Sequence, residues 1–541
     1  MQLKYIIKQI SPSKIGKAKK KFVRRKDLTL KIRIEIGAIA ALGFWGIITA
    51  LSKKHNVSRT FIYELKETLP GNLQKLFGET VVEAGIIDRE LTIKEILRLR
   101  LIGKVSTLAI SELLKIRGQF ARYSKSYVSE VLDKVGFLLP NHLHNISAKE
   151  KCLVICCDEI FSNGTPILIS VDPISSVILA IELSPKRDEA AWKAHFEKLK
   201  HQHGYKIAYI VSDCCSAIKA AAKNTFYKVE FQPDTFHAVA HRLGKWVHSL
   251  ETSMDKAIKQ EWHILEVFES AKSERKIAER IDEYEQAVKV TNLAIERYED
   301  FAFLYNCAIE QLPVFDKKGN LRNRKDAEGN MVAALELMKG MGHFKINEAI
   351  KSIENILGNL FQYLDRAKEI VDKIGISGVD NDILKGFYAA WQLGRHATKA
   401  KQAERKARYK LRQKKQLTLL EDLLEGDFAS LNQHISEELD KAVQSSAMVE
   451  TINSILRPYL NASKNQTSQN ILNLIMFYHN HRRYIQGKRK GNTPLEIFTG
   501  EKQNENWDTI LWNKVEGQLS DVMYKTEKEL TQIKENWANA A

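Results

Sequence analysis

Cysteine is scarce in this chain. Six are present in 541 residues, and four of them form the adjacent pairs Cys156-Cys157 and Cys214-Cys215. So few thiols exclude a disulfide framework. Neighbouring cysteines on a strand face opposite ways, and zinc sites want two to four residues between ligands, so Cys156, Cys157, Cys214, Cys215 and His237 make a poor zinc set. His237 and His241 stand four apart but lack the glutamate of a His-Glu-x-x-His motif, which removes metalloprotease chemistry. Long apolar runs are missing as well. The longest, Ile36 to Leu51, is too short to span a bilayer, and the Lys/Arg-rich stretch Lys14 to Arg33 follows an opening with no apolar core, so no secretory leader is expected. A reducing cytoplasm is the predicted compartment. Acid is also in deficit, with 66 Asp and Glu against 83 Lys and Arg and a net charge of +17. A polyanionic partner is expected, because each phosphate neutralised by Lys or Arg releases counterions.

What is present divides the chain by period. Residues 1 to about 140 read as helical, in two modules of helix-turn-helix pattern, residues 1–75 and 76–140; ordinary helical hairpins would show the same pattern. In the first, Gly46 to His55 leads through Asn56-Val57 to a helix that Ser58 can cap. Val57, Ile62 and Leu65 face inward there, leaving Arg59, Thr60 and Tyr63 free to meet a DNA groove. In the second, Thr107 to Lys115 precedes a helix capped by Ser124, with Lys125, Ser126 and Ser129 exposed.

Beyond Pro140 the period becomes that of strands. Cys152–Asp158, Thr165–Val171, Val177–Leu183, Ile207–Ser212 and Val229–Gln232 read as five strands, with helices from Trp192 to His201 and from Ala217 to Lys223 between the later ones. The order predicts an α/β layer with crossovers, here residues 151–243. Residues 244–442 are helical again and heavily charged, residues 443–500 return to the α/β unit, and 501–541 form a helical tail. Within the insertion, Arg395 to Lys415 carries ten Lys or Arg in 21 residues, interrupted by one acid, Glu404. That density predicts a helix contacting DNA backbone through Arg405, Arg408 and Arg412.

Three carboxylates stand in recognisable settings. Asp158 closes Cys152-Leu-Val-Ile-Cys-Cys-Asp158, Asp213 closes Tyr209-Ile-Val-Ser-Asp213, and Glu450 lies in the helical Ser446-Ala-Met-Val-Glu450-Thr-Ile-Asn-Ser-Ile-Leu-Arg457. From Asp158 to Asp213 is 55 residues (213 − 158), and from Asp213 to Glu450 is 237 (450 − 213), so the insertion must fold aside for Glu450 to return. Acids from separate elements can gather divalent metal. On the Glu450 helix, Val449, Ile452 and Leu456 form a buried stripe, which puts Asn453 and Arg457 on the acid's face. Glu159, beside Asp158 on the strand, is expected to face the opposite way.

With Val211-Ser-Asp213-Cys-Cys-Ser-Ala-Ile, Gln232-Pro-Asp-Thr-Phe-His237, the Glu450 to Arg457 segment, Phe477-Tyr-His-Asn480-His-Arg-Arg483 and Gly487-Lys-Arg-Lys-Gly491-Asn-Thr-Pro494 in this order, the chain from about Leu153 to Phe498 resembles a DDE transposase of a bacterial insertion sequence. Cys214-Cys215 departs from the small residues many relatives carry after the second acid. The resemblance implies a ribonuclease H-like (RNase H-like) mixed-sheet core interrupted by a large α-helical insertion and preceded by helix-turn-helix modules. It implies catalytic and metal-binding roles for Asp158, Asp213 and Glu450, with two Mg²⁺ or Mn²⁺ ions about 3.5 to 4 Å apart. His237, Asn453 and Arg457 would assist near the scissile phosphate, the alternatives being a salt bridge from Arg457 to the core and a His237 that only satisfies its helix end. The expected partners are double-stranded DNA, as terminal repeats and as target, and at least one further copy of the chain in the synaptic complex. Alternatives on the same fold are a catalytically silent DNA-binding regulator and a structure-selective nuclease.

Overall fold

The computed structural model describes residues 27–77, 89–116, 123–143, 152–202, 206–213, 215–226, 228–270, 273–375 and 378–523. Cys214 and the Lys14 to Lys26 part of the basic N-terminal stretch lie outside them. The chain divides into two compact units, Met1–Arg89 and Glu90–Ala541.

In the first unit, helices Leu30–Ala41, Ile47–His55 and Arg59–Phe77 close over a small core of Leu28, Ile36, Ala40, Leu51 and Ile62. Between the second and third, Asn56 takes a left-handed conformation (φ 48°), and Ser52 Oγ donates to the Val57 carbonyl at 2.7 Å. Ser58 Oγ then accepts from the Phe61 amide at 3.1 Å and starts the next helix. Ile62 is buried while Arg59, Thr60 and Tyr63 are exposed.

The second unit is built on a mixed five-stranded sheet of order β3-β2-β1-β4-β5. Its strands are β1 Cys152–Ser162, β2 Thr165–Val171, β3 Ile178–Leu183, β4 Lys206–Ser212 and β5 Glu230–Pro233. β1, β2 and β3 run antiparallel in succession. β4 and β5 join parallel to β1, as the helices Glu189–Glu197 and Ser216–Thr225 between them require. Leu153 to Cys157 and Ile167 to Val171 are buried without alternation, the signature of strands covered on both faces.

Helices Thr107–Ile116 and Lys125–Phe137 share this unit's core: Ile110, Leu114, Val128, Val131 and Val135 join the strand residues in one cluster. The reason is close backbone approach. A Cβ on Gly136 would stand 2.0 Å from the Asn470 carbonyl oxygen, and Asn473 Nδ2 donates to the carbonyls of Gly136 and Leu139 at 3.1 and 2.8 Å.

After β5 the chain enters the inserted helices, from Arg242–Glu269 to Phe428–Asp440, which hold a separate core that includes Phe315, Leu335, Tyr363, Phe387 and Leu439. One expectation is corrected here. Arg395 to Lys415 is not a single helix: Asn381–Lys399 ends, and Ala403–Leu424 begins after a break at 400–402. No Pro or Gly forces the break. The two helices fold back so that Leu384 and Phe387 meet Leu420 in the inserted core, and Gly386 and Gly394 admit Leu420 and Gln413 against the first helix. Burying both apolar stripes outweighs continuing through a strongly basic segment.

Candidate active site

The sheet register places the first two acids. β1 pairs with β4 up to Cys157 opposite Ser212, so the next residues, Asp158 and Asp213, stand abreast where the parallel ladder stops. β1 continues to Ser162 along β2, which corrects the expectation that Asp158 ends its strand. The flank toward β4 opens there because β4 has finished. Asp158 Oδ1 accepts from the Glu159 amide and Oδ2 from Asn453 Nδ2, both at 2.9 Å. Asp213 Oδ1 accepts from the Cys215 amide at 3.2 Å.

Glu450 arrives on the first turn of helix Ala447–Ala462, whose Val449, Ile452 and Leu456 are buried against the sheet. Its start is fixed by Asp234, 2% exposed at the end of β5. Asp234 Oδ2 accepts from both the amide and the hydroxyl of Ser446 at 2.7 Å, while Oδ1 accepts from the amides of Phe236 and His237 at 2.7 and 3.1 Å. One carboxylate thus caps the turn that carries His237 and anchors the helix that carries Glu450. The two side chains then meet, His237 Nε2 to Glu450 Oε1, at 2.7 Å. Thr235 reinforces the junction through the Gln444 carbonyl.

Burial pushes the Asp158 carboxyl up to about 6, with the charges of Asp213, Glu159 and Glu450 adding to the effect against the Glu159 amide bond. These acids therefore sense one another. None of the three has a Lys or Arg ion-pair partner among the described residues. All-oxygen donors of this kind suit a hard divalent cation. As placed, however, no three His, Cys, Asp or Glu side chains among the described residues stand close enough to hold a metal; Glu450 is turned to His237. Asp213, His237, His241, Arg242 and Lys245 line an open cleft of about 280 Å³.

The remaining candidates fall in different places. Asn453 is 5% exposed and turned inward to Asp158, not on the exposed face with Glu450, because three residues advance a helix about 60° short of a full turn. Arg457 is exposed and has no ion-pair partner among the described residues. Glu159 is held by Arg187 at 2.9 Å. Lys125 and Ser126 are exposed on their helix, as are Arg405, Arg408 and Arg412 on Ala403–Leu424. Sequence reasoning reaches Asp234 only as a helix cap, and misses Gln232. That side chain, fully buried, accepts from the Tyr363 amide and donates to the Leu360 carbonyl, tying β5 to the insertion. The signal for Asp234 was a short acid at a strand end three residues before His237.

Residues 155–370 match a family model described as a transposase of the DDE type. The matched stretch contains Asp158, Asp213, Asp234 and His237 and ends among the inserted helices, before Glu450. No curated protein matches the chain.

Proposed function

From the match of residues 155–370 to a DDE-type transposase family model, we propose that this protein binds the ends of its own element, hydrolyses a DNA strand and joins the freed 3′-OH to target DNA. The observation that carries the reading is that Asp158 and Asp213 stand abreast where the β1–β4 ladder ends and the helix of Glu450 reaches Asp158 through Asn453 Nδ2 at 2.9 Å, although the three acids are spread over 292 residues (450 − 158). Three antiparallel strands followed by two parallel ones support an RNase H-like core.

Asp158, Asp213 and Glu450 would hold two Mg²⁺ or Mn²⁺ ions, which supply Lewis-acid stabilisation of the charge that builds on the phosphate and its leaving oxygen. The chain's own groups orient and protect. Asn453 fixes the Asp158 carboxylate, His237 holds the Glu450 side chain, and Arg457, two turns along the same helix, grips a neighbouring phosphate. Arg59, Thr60 and Tyr63, with Lys125 and Ser126, read or hold the terminal repeat. Arg405, Arg408 and Arg412 contact backbone. Two ends must be brought together, so the working form contains at least two chains.

A strand-transfer assay with the full chain, Mg²⁺ and the element's own ends tests this. Cleaved and joined products are expected. Cleavage without joining would make the protein a nuclease, and binding without either would make it a silent regulator.

A further inference from the structure

We infer that the outer face of the Glu450 helix is a track for DNA backbone, running from the acids to a polar cleft at the helix's far end. The inference rests on the function proposed above and adds where the cleaved duplex lies. Exposed residues on this helix and its exit recur as Glu450, Ser454, Arg457, Asn461 and Lys464, at intervals of four, three, four and three. That spacing makes one stripe. No Asp or Glu occurs from Thr451 to Lys464.

The stripe ends in a cleft of about 900 Å³. On its near side the chain leaves the helix through Lys464 and Asn465, both left-handed (φ 53° and 55°). The turn is pinned by Asn465 N–H to the Leu460 carbonyl at 2.7 Å and by Ser162 Oγ to the Asn465 carbonyl at 2.9 Å. Lys125, Ser126 and Ser129 form the opposite wall, exposed at the start of Lys125–Phe137. Helices Thr107–Ile116, Lys125–Phe137 and Gln469–His481 all begin at this cleft, so three sets of amide dipoles turn their positive ends to it.

Its two acids are already engaged. Glu130 pairs with Lys134 at 2.7 Å, and Asp133 accepts from Ser468 Oγ at 2.6 Å and Asn470 Nδ2 at 2.9 Å. Lys125 and Lys464 have no acidic partner among the described residues. Arg100, 2% exposed, also lines the cleft, and its Nε has no hydrogen-bond partner although its other nitrogens donate to Val105, Tyr459 and Ser463. Hydroxyls, amides, lysines and helix N-termini are the chemistry of phosphate contact.

From Glu450 to Ala462 is 12 residues (462 − 450), or about 18 Å of helix, which is about five base pairs of B-DNA. Lys125 and Lys464 therefore hold backbone about five base pairs from the cut, on the duplex being cut.

The full-length chain is tested in EDTA, so that binding is read without turnover. The probes are a 30-base-pair duplex from the end of the element that encodes it and a random duplex of equal length. Lys464→Glu and Asn461→Asp should each weaken both duplexes about fivefold, and Lys464→Glu should also flatten the log–log salt slope by roughly 0.9. Lys317→Glu, an exposed control in the insertion, should change neither. Ethylation of phosphates four to six steps from the cleaved bond should block binding of the wild type and matter less to Lys464→Glu. Binding of Lys464→Glu as tight as that of the control overturns the track, even if the wild type joins strands. Weakened binding by Lys464→Glu in a protein that joins no strands leaves the track standing and removes the transposase reading.

Discussion

The sheet carries crowded acids at the end of β1 and β4, and the inserted helices carry crowded bases, with Arg366 and Glu230 pairing across the two at 2.7 Å. On the sheet side, burial raises the Asp158 carboxyl to about 6 while Asp213 and Glu450 add like charge. On the insertion side, burial lowers Arg395 and brings His396 to about 4, with Lys399, Arg395 and Arg405 reinforcing the second effect. His241 is lowered by partial burial and then by Lys245, His237 and Lys401. Near the acids the two sides meet where His237 Nε2 reaches Glu450 Oε1. Acids crowded on one side and bases crowded on the other are what the proposed function requires, a cation at the first and a polyanion at the second.

Removing an acid is the sharpest way to break this division. Asp158→Ala, Asp213→Ala and Glu450→Ala should each lower cleavage by at least about a thousandfold, on the order of 4 kcal/mol of barrier, with end binding retained in a parallel mobility shift. Full cleavage by any one variant would remove that residue from the set.

The junction between the two regions is the next target. Asp234→Asn keeps an acceptor but loses the charge that serves four donors, so His237 and Glu450 lose their common anchor. Cleavage should fall about ten- to a hundredfold with duplex affinity unchanged, since charge-assisted bonds of this kind contribute roughly 1.5 to 3 kcal/mol. Equal activity in the variant and the wild type would show that the insertion positions Glu450 by packing alone.

How much of this was legible in the sequence follows the same division. The five strands and the helices between them could be read, because apolar period and turn residues are local signals. Asp158 and Asp213 stood out because each closes an apolar run, although β1 itself continues past Asp158 to Ser162. The break at 400–402 could not: Ala, Lys and Gln favour helix, and only the distant packing of Leu384 and Phe387 against Leu420 folds the segment back. Asn453 turned inward for a related reason, since helical spacing gives a rotation but not the direction of the sheet. The double role of Asp234 depends on Ser446, 212 residues away, and no local pattern carries that distance.

The basic side can be weakened without touching the acids. Arg405, Arg408 and Arg412 are exposed on one arm of the folded-back pair. Replacing all three by Gln in the Asp158→Ala background should reduce the magnitude of the log K versus log salt slope by roughly 0.9 for each phosphate no longer neutralised, and should weaken element ends and random duplex alike. A changed preference between the two duplexes, with the slope intact, would mean that these arginines read bases.

The smallest effect tests the acidic side by itself. The folded Asp158 carboxyl lies at about 6, above its ordinary value of 3.8, so between those values the folded protein binds more protons than the unfolded chain and stability falls as pH rises. The penalty is complete above about pH 6 and absent below about pH 4. Asp158→Asn cannot ionise, and its amide oxygen can still accept from Asn453. In EDTA at pH 7.5 the variant should therefore be more stable than the wild type, by about 1 kcal/mol once the partial exposure of the site is discounted, and the two should converge near pH 4. Thermal unfolding at pH 7.5, 6 and 4.5 measures this. Adding Mg²⁺ at pH 7.5 should narrow or reverse the gap, because only the wild type regains stability by binding the ion with its full set of acids. A gap independent of pH would mean that Asp158 is not held against its own charge, and the contrast between the two regions would then rest on the bases alone.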